Sequence, residues 1–256
     1  MNFPIGFIDS GIGGVSILKS LHSKLPNESY VYFADVSNAP YGGKSKKTIE
    51  KCVLNAVRFL VEKRAIKLLV VACNTASSAA KEKILKEFPA LLCVFVEPPI
   101  KVAIDKNKQN ILILATKRTL KNNKNLKLYT KSCKKKKIKI KKLFIKNLAY
   151  LVDNKFEDKN LIKKTLTKRI KNKNYDAVVL GCTHYNFLKK EIKSCLKNAE
   201  IISCEKGVVK RILEIYKNNK MQCEKPSIEI ILNGENSLVA SRLAHMFPSA
   251  NTTQKY

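Results

Sequence analysis

The chain has 256 residues, 45% of them hydrophobic, enough for one large core or two medium ones and too apolar for wholesale disorder. Fifty basic residues against twenty acidic leave a formal charge of +30, which raises nucleic acid as a partner. Yet 44 of the basic residues are lysines, spread along the whole chain. That pattern reads as biased composition rather than one binding face, so nucleic acid is not the expected partner.

In chain order, "PIGFI" (strand 5–8) runs into "DSGIGG" and then a helix, "VSILKSLHSKL". Strand, glycine turn and helix suggest a phosphate cradle, but G-x-G-G-x-S lacks the last glycine of the dinucleotide fingerprint and is no P-loop. Tight turning explains the glycines and leaves Asp9 and Ser10 at the strand tip without an explanation. A second strand, 30–34, leads to Asp35, which imitates a ribose-binding acid. "SNAPYGGKS" (37–45) is a turn-rich loop ending on Ser45, a natural N-cap. From Ser45 to Arg64, Ile49, Cys52, Val53, Ala56, Val57, Leu60 and Val61 recur at helical spacing. Strands follow at 67–72 and 91–96, and "EPP" (97–99) is the loop where a domain boundary falls.

The strand 111–115 ends in "LATKRT", whose Thr116 and Thr119 suit a helix cap or a carboxylate. The stretch 117–174 is the least legible. Within it, "KKKKIKIKK" (134–142) and the strand 140–145 read as a solvated edge strand, its lysines discouraging edge pairing. Further strands lie at 176–180, 200–203 and 228–232. Continuous apolar runs such as "LLVVA" and "AVVL" suit parallel strands covered on both faces, and the alternation with helices predicts an α/β fold. No signal peptide and no membrane span are expected.

Eight cysteines, at 52, 73, 93, 133, 182, 195, 204 and 223, form no C-x-x-C pair, and only three histidines accompany them. No metal site is expected, and the spacing suits a reducing cytoplasm rather than a disulfide framework. Two of the thiols share a setting. "KLLVVACNTASSAA" and "AVVLGCTHYNFLKK" each carry a buried strand ending in cysteine, a threonine close behind and a helix after it. A thiol at a helix start leans toward thiolate, and His184 beside Cys182 is a candidate proton partner. Two thiols with no cofactor motif suit acid–base work on opposite faces of one carbon, one removing a proton and the other returning one.

"GFIDSGIGGVSIL", "YFADVSNAPYGGKS", "VVACNTASSAA", "LATKRTL" and "VVLGCTHYNFL" together resemble the successive motifs of the glutamate racemases, in order and over nearly the full chain. The resemblance implies two similar, pseudo-symmetric α/β domains with mostly parallel sheets and an active site in the cleft between them. The first would hold 1–97 plus about 207–256, the second 98–206. It implies cofactor-independent racemisation of L- and D-glutamate, supplying D-glutamate for peptidoglycan. A homodimer and a small-molecule substrate are the partners it brings in. Cys73 and Cys182 would be the acid/base thiols, acting on D- and L-glutamate respectively, assisted by Asp9 and His184. Ser10, Pro40, Tyr41, Gly42, Asn74, Thr75, Thr116, Thr119 and Thr183 would contact substrate along with those four, and Asp35 would support the site. Two departures stand out. The family glutamate about 34 positions before the histidine is absent, with Tyr150 in its place, and Ser203-Cys204 replaces an Asp-Ser. A racemase for aspartate or another acidic amino acid is the nearest alternative, and a basic nucleic-acid-binding protein on a degenerate racemase fold is the more distant one.

Overall fold

A computed structural model of the chain describes residues 3–135, 137–171, 174–218 and 225–255, so Cys223 lies outside the described residues. The chain divides into two compact units, Met1–Val96 with Glu205–Tyr256, and Glu97–Cys204.

The first unit carries strands β1 (Ile5–Asp9), β2 (Tyr30–Ala34), β3 (Leu68–Val71) and β4 (Leu92–Phe95), and later β9 (Ile228–Asn233) and β10 (Asn251–Lys255). They form one sheet in the order β10-β9-β2-β1-β3-β4, with every pairing parallel. Its helices are α1 (Val15–His22), α2 (Lys46–Arg64) and α3 (Asn74–Glu87), and after the second unit α10 (Glu205–Asn218) and α11 (Ser237–Met246). The central strands β1, β2 and β3 are buried at every position, which is why they read as unbroken apolar runs.

Helix α2 forms where the periodicity predicts it. Ser45 caps its start, accepting from the Thr48 N–H at 3.0 Å. Ile49, Val53, Ala56, Val57 and Leu60 are buried along one stripe against the sheet. The helix ends on Ala65 in the left-handed region, φ 48°, whose N–H closes onto the Leu60 and Val61 carbonyls.

The second unit holds α4 (Ile100–Asp105), β5 (Asn110–Ala115), α5 (Lys117–Asn122), α6 (Lys124–Lys135), β6 (Lys139–Leu143), α7 (Leu148–Asn154), α8 (Lys159–Arg169), β7 (Ala177–Gly181), α9 (Lys189–Cys195) and β8 (Glu200–Ile202). Its sheet runs β6-β5-β7-β8, again parallel throughout. The same order appears in the first unit as β2-β1-β3-β4, so β3 and β7 hold equivalent places.

Nine of the ten strands are those expected from the apolar runs. The tenth, "NTTQK", is polar and pairs with β9 alone at a sheet edge, where nothing requires an apolar run. Strand β6 is likewise an edge, and Lys139, Lys141 and Lys142 on it are exposed. That agrees with the solvated edge strand read from the sequence. Residues 117–146 hold fourteen of the fifty basic side chains and no acid. Partial desolvation of its otherwise exposed side chain, then the Lys127 and Lys134 charges, lower the Lys142 pKa below its ordinary value. Among the described residues no helix is long and apolar enough to cross a membrane.

Candidate active site

In the first unit, β1 delivers Asp9 and β3 delivers Cys73. The strands are neighbours, pairing Ile8 with Val71, and the Ala72 N–H donates to the Ile8 carbonyl at 2.8 Å. Asp9 and Cys73 therefore leave adjacent strand ends at the carboxyl edge of the sheet, where sites form in open parallel sheets. Asp9 is fully buried and Cys73 is 7% exposed. Cys73 is the N-cap residue of α3, so the thiol sits at a helix start, where the dipole favours thiolate. Ser10, Asn74 and Thr75 are buried beside these strand ends.

Asn74 is the most telling of these neighbours. Its amide nitrogen and oxygen are both buried and neither has a hydrogen-bond partner. A buried amide left in that state costs roughly 1–3 kcal/mol per group.

The glycine turn behaves as a close-packed corner. The Asp9 Oδ1 accepts the Gly11 N–H at 3.0 Å, and the Tyr32 hydroxyl donates to the Gly11 carbonyl at 2.8 Å. The Val15 N–H is taken by Ile12. Gly14 has an ordinary helical backbone, φ −69°, yet a Cβ there would lie 2.6 Å from the Ala72 Cβ. The glycine is needed for contact between turn and strand, not for backbone freedom.

Past β2, the buried Asp35 gathers the "SNAPYGGKS" loop. Its carboxylate accepts from Asn38 Nδ2 at 2.9 Å, from the Tyr41 hydroxyl and from Asn233 Nδ2. Tyr41 is buried, whereas Pro40, which follows a cis peptide bond, is exposed and Gly42 half-buried. Burial, then the Asp35 charge, then the nearby Cys73 push the Tyr41 pKa well above its ordinary value. Its phenol therefore stays protonated beside the thiol.

In the second unit, β7 delivers Cys182, also 7% exposed. β5 pairs Ala115 with Gly181, which brings Thr116 to the neighbouring strand end. Thr116 caps α5, its Oγ1 accepting the Thr119 N–H at 3.3 Å and lying 3.0 Å from the Thr119 hydroxyl. The expected helix after Cys182 begins as a 3-10 segment, Thr183–Leu188, and becomes α-helical only at Lys189. This tighter winding places Thr183, His184 and Tyr185 in buried positions directly behind the thiol.

His184 Nδ1 lies 3.9 Å from the Cys182 sulfur, and Nε2 lies 3.0 Å from Asp153 Oδ2. Burial alone would push the imidazole pKa down. The Asp153 charge and hydrogen bond, with a smaller contribution from Cys182, overturn that and raise it well above the ordinary value. Tyr185 is also pushed up, by burial and then by Cys182. Each thiol thus has one ionisable side chain on the same or the adjacent strand end and one buried phenol near it.

Asp153 answers the first departure noted in the sequence. The position 34 residues before the histidine is indeed Tyr150, and it points an exposed ring to solvent. The acid that pairs with His184 is Asp153, three residues further along α7. Sequence reasoning missed it, along with Tyr185, Asn38 and Asn233. The available signal was an acid inside the apolar stretch "LAYLVDN", since a buried carboxylate needs a partner.

Two parallel-sheet units, each ending its third strand on a buried thiol, define an α/β protein with the two-unit plan of an enzyme. Comparison with known proteins is specific. A glutamate racemase of Clostridium acetobutylicum is 38% identical over 237 residues, covering 90% of this chain and 91% of the relative. One from Clostridium kluyveri is 40% identical over 218 residues, 82% of each. Among solved structures, glutamate racemase from Francisella tularensis in complex with D-glutamate superposes with a TM-score of 0.84 at 26% identity, covering 100% of this chain and 98% of that one. The Escherichia coli glutamate racemase, in complex with L-glutamate and the activator UDP-MurNAc-Ala, gives 0.85 at 25%, covering 99% and 98%. A scan against family models returned no match. The chain belongs to the glutamate racemase family.

Proposed function

We propose that the protein interconverts L- and D-glutamate without a cofactor, using Cys73 and Cys182 as the two acid/base groups. The reading is carried by the matched placement of the two buried thiols at the ends of β3 and β7. One thiolate takes the α-proton and the opposing thiol returns one to the other face, so no net charge or redox change accompanies turnover. A thiol, ordinarily near pKa 8.5, is close enough to neutrality for both roles.

Asp9 accompanies Cys73, and His184, held by Asp153, accompanies Cys182. The upward shift favours the protonated form of His184, which can hand a proton toward Cys182 or stabilise its thiolate. Ser10, Asn74, Thr75, Thr116, Thr119 and Thr183 supply hydroxyls and amides for the substrate's carboxylates and ammonium, together with the Pro40–Gly42 loop. Asn74, with both amide atoms unpartnered, is the strongest of these candidates. The substrate carbanion needs such donors, since an α-proton beside a carboxylate is only weakly acidic. Supply of D-glutamate to peptidoglycan is the cellular role that fits this activity.

The decisive experiment incubates each glutamate enantiomer in deuterated water with protein and no added cofactor. Deuterium at the α-carbon of both, together with loss of racemisation in Cys73→Ser and Cys182→Ser, is the expected result. Full racemisation in either variant would remove the two-thiol mechanism, and turnover of aspartate but not glutamate would move the substrate.

A further inference from the structure

The C-terminal strand β9 ends in Asn233 and is followed by Gly234, and both reach the loop that carries Tyr41. Asn233 Nδ2 donates to Asp35 Oδ1 and lies 3.2 Å from the Ser37 hydroxyl. Gly234 adopts φ +106°, and a Cβ on it would lie 2.6 Å from the Ser37 Cβ. Both features serve one contact. The left-handed glycine allows the backbone to turn against Ser37, and the asparagine before it adds a third side-chain donor to Asp35.

Asp35 is consequently held from three sides. Asn38 and Asn233 donate to one carboxylate oxygen and Tyr41 to the other, while its own backbone N–H donates to the Asp9 carbonyl at 2.9 Å. A buried carboxylate holding three side-chain donors fixes the groups around it. It fixes Tyr41, which packs in the same apolar cluster as Cys73. The chain of contacts runs from β9, through Asp35, to the phenol beside the thiol, joining residues 198 apart in sequence.

We propose that Asn233 and Gly234 form a clasp that positions the Asp35–Gly43 loop, and that Asn233 is a positioning residue for the Cys73 side of the reaction. The clasp sets how closely Tyr41 covers Cys73 and where the Tyr41–Gly43 backbone meets the substrate. This rests on the glutamate racemase reading, and its test includes a readout that does not.

The test compares full-length wild type with Asn233→Asp, which keeps the shape and loses both donors, and Asn233→Ala. KM for glutamate is expected to rise about tenfold with a smaller change in kcat, the size of one lost hydrogen bond to a charged group. In parallel, iodoacetamide labelling is followed cysteine by cysteine by mass spectrometry. Cys73 should label several-fold faster in both variants, while Cys182, in the other unit, keeps its wild-type rate and serves as the internal standard. Equal acceleration at both cysteines would reveal general loosening and overturn the clasp, as would unchanged KM and unchanged Cys73 labelling. If wild type fails to racemise glutamate, the functional reading falls, and the labelling comparison still decides whether the clasp covers Cys73.

Discussion

Asp153 Oδ2 sits 3.0 Å from His184 Nε2, and the other ring nitrogen faces the Cys182 sulfur. The carboxylate holds the ring and favours its charged form. Asp153→Asn keeps the shape and removes the charge. Burial would then dominate, and the His184 pKa would fall. The alkaline limb of the pH–rate profile should shift to lower pH, and kcat/KM should drop by roughly 10²-fold or more, the usual worth of a positioned proton donor. The stability linkage has the same sign. A raised histidine contributes stability that is fully present below its ordinary pKa and is lost as pH rises through the folded value. The wild-type second unit should therefore lose its advantage over Asp153→Asn as the solution becomes alkaline. Identical pH–rate profiles for the two proteins would remove Asp153 from the mechanism.

Asn74 separates function from stability. Its two unpartnered amide atoms destabilise the free protein, so Asn74→Ala should be neutral or stabilising by about 1 kcal/mol. On the proposed binding role, the same change should raise KM for glutamate at least about tenfold, because it removes a donor and an acceptor from the site. Thermal melts with and without glutamate check this. Wild type should gain stability on adding glutamate, and the variant should gain less. A variant that melts well below wild type would show that Asn74 has a structural partner instead.

What could be read in the sequence follows burial. Strands β1, β2, β3, β5 and β7 are covered on both faces and apolar apart from Asp9 and Asn110 at their ends, so their positions were plain. β10 was hidden because an edge strand pairs through its backbone and imposes no side-chain pattern. The thiols were legible because each closes an apolar run. Asp153 was not, because its importance arises only when α7 packs beside the 3-10 segment that carries His184. Its position, just under one helical turn beyond Tyr150, exchanges an outward-facing site for a buried one. Asn233 was concealed for a different reason, its contact to Asp35 spanning most of the chain.

Ala65 offers a change that touches none of the chemistry. It is the residue after α2 and holds φ 48°, a conformation that costs an L-residue with a Cβ roughly 1–2 kcal/mol. Its N–H closure onto Leu60 and Val61 is made equally well by glycine. Ala65→Gly should stabilise the first unit by about 0.5–1 kcal/mol, offset in part by the extra freedom glycine has when unfolded. Glutamate turnover should be unchanged. A lower melting temperature would mean that the Ala65 methyl packs more usefully than its backbone is strained.

Gly14 gives the opposite case, where stability and site move together. Its backbone is regular, so Gly14→Ala introduces no torsional strain. The added methyl would meet the Ala72 Cβ at 2.6 Å, the Tyr32 hydroxyl at 3.1 Å and the Asp9 Cβ at 3.2 Å. The Ala72 and Asp9 contacts involve no flexible side-chain end, so the strand tips or the turn must move. Overpacking of this kind costs about 1–3 kcal/mol. The displacement falls on the residues that bring Asp9 and Cys73 to neighbouring strand ends, so turnover should fall by more than the loss of folded protein explains. Measuring kcat on the fraction that remains folded, by circular dichroism at a temperature below the variant's melt, separates the two effects. A variant with reduced stability and wild-type kcat would show that the turn can yield without moving Asp9.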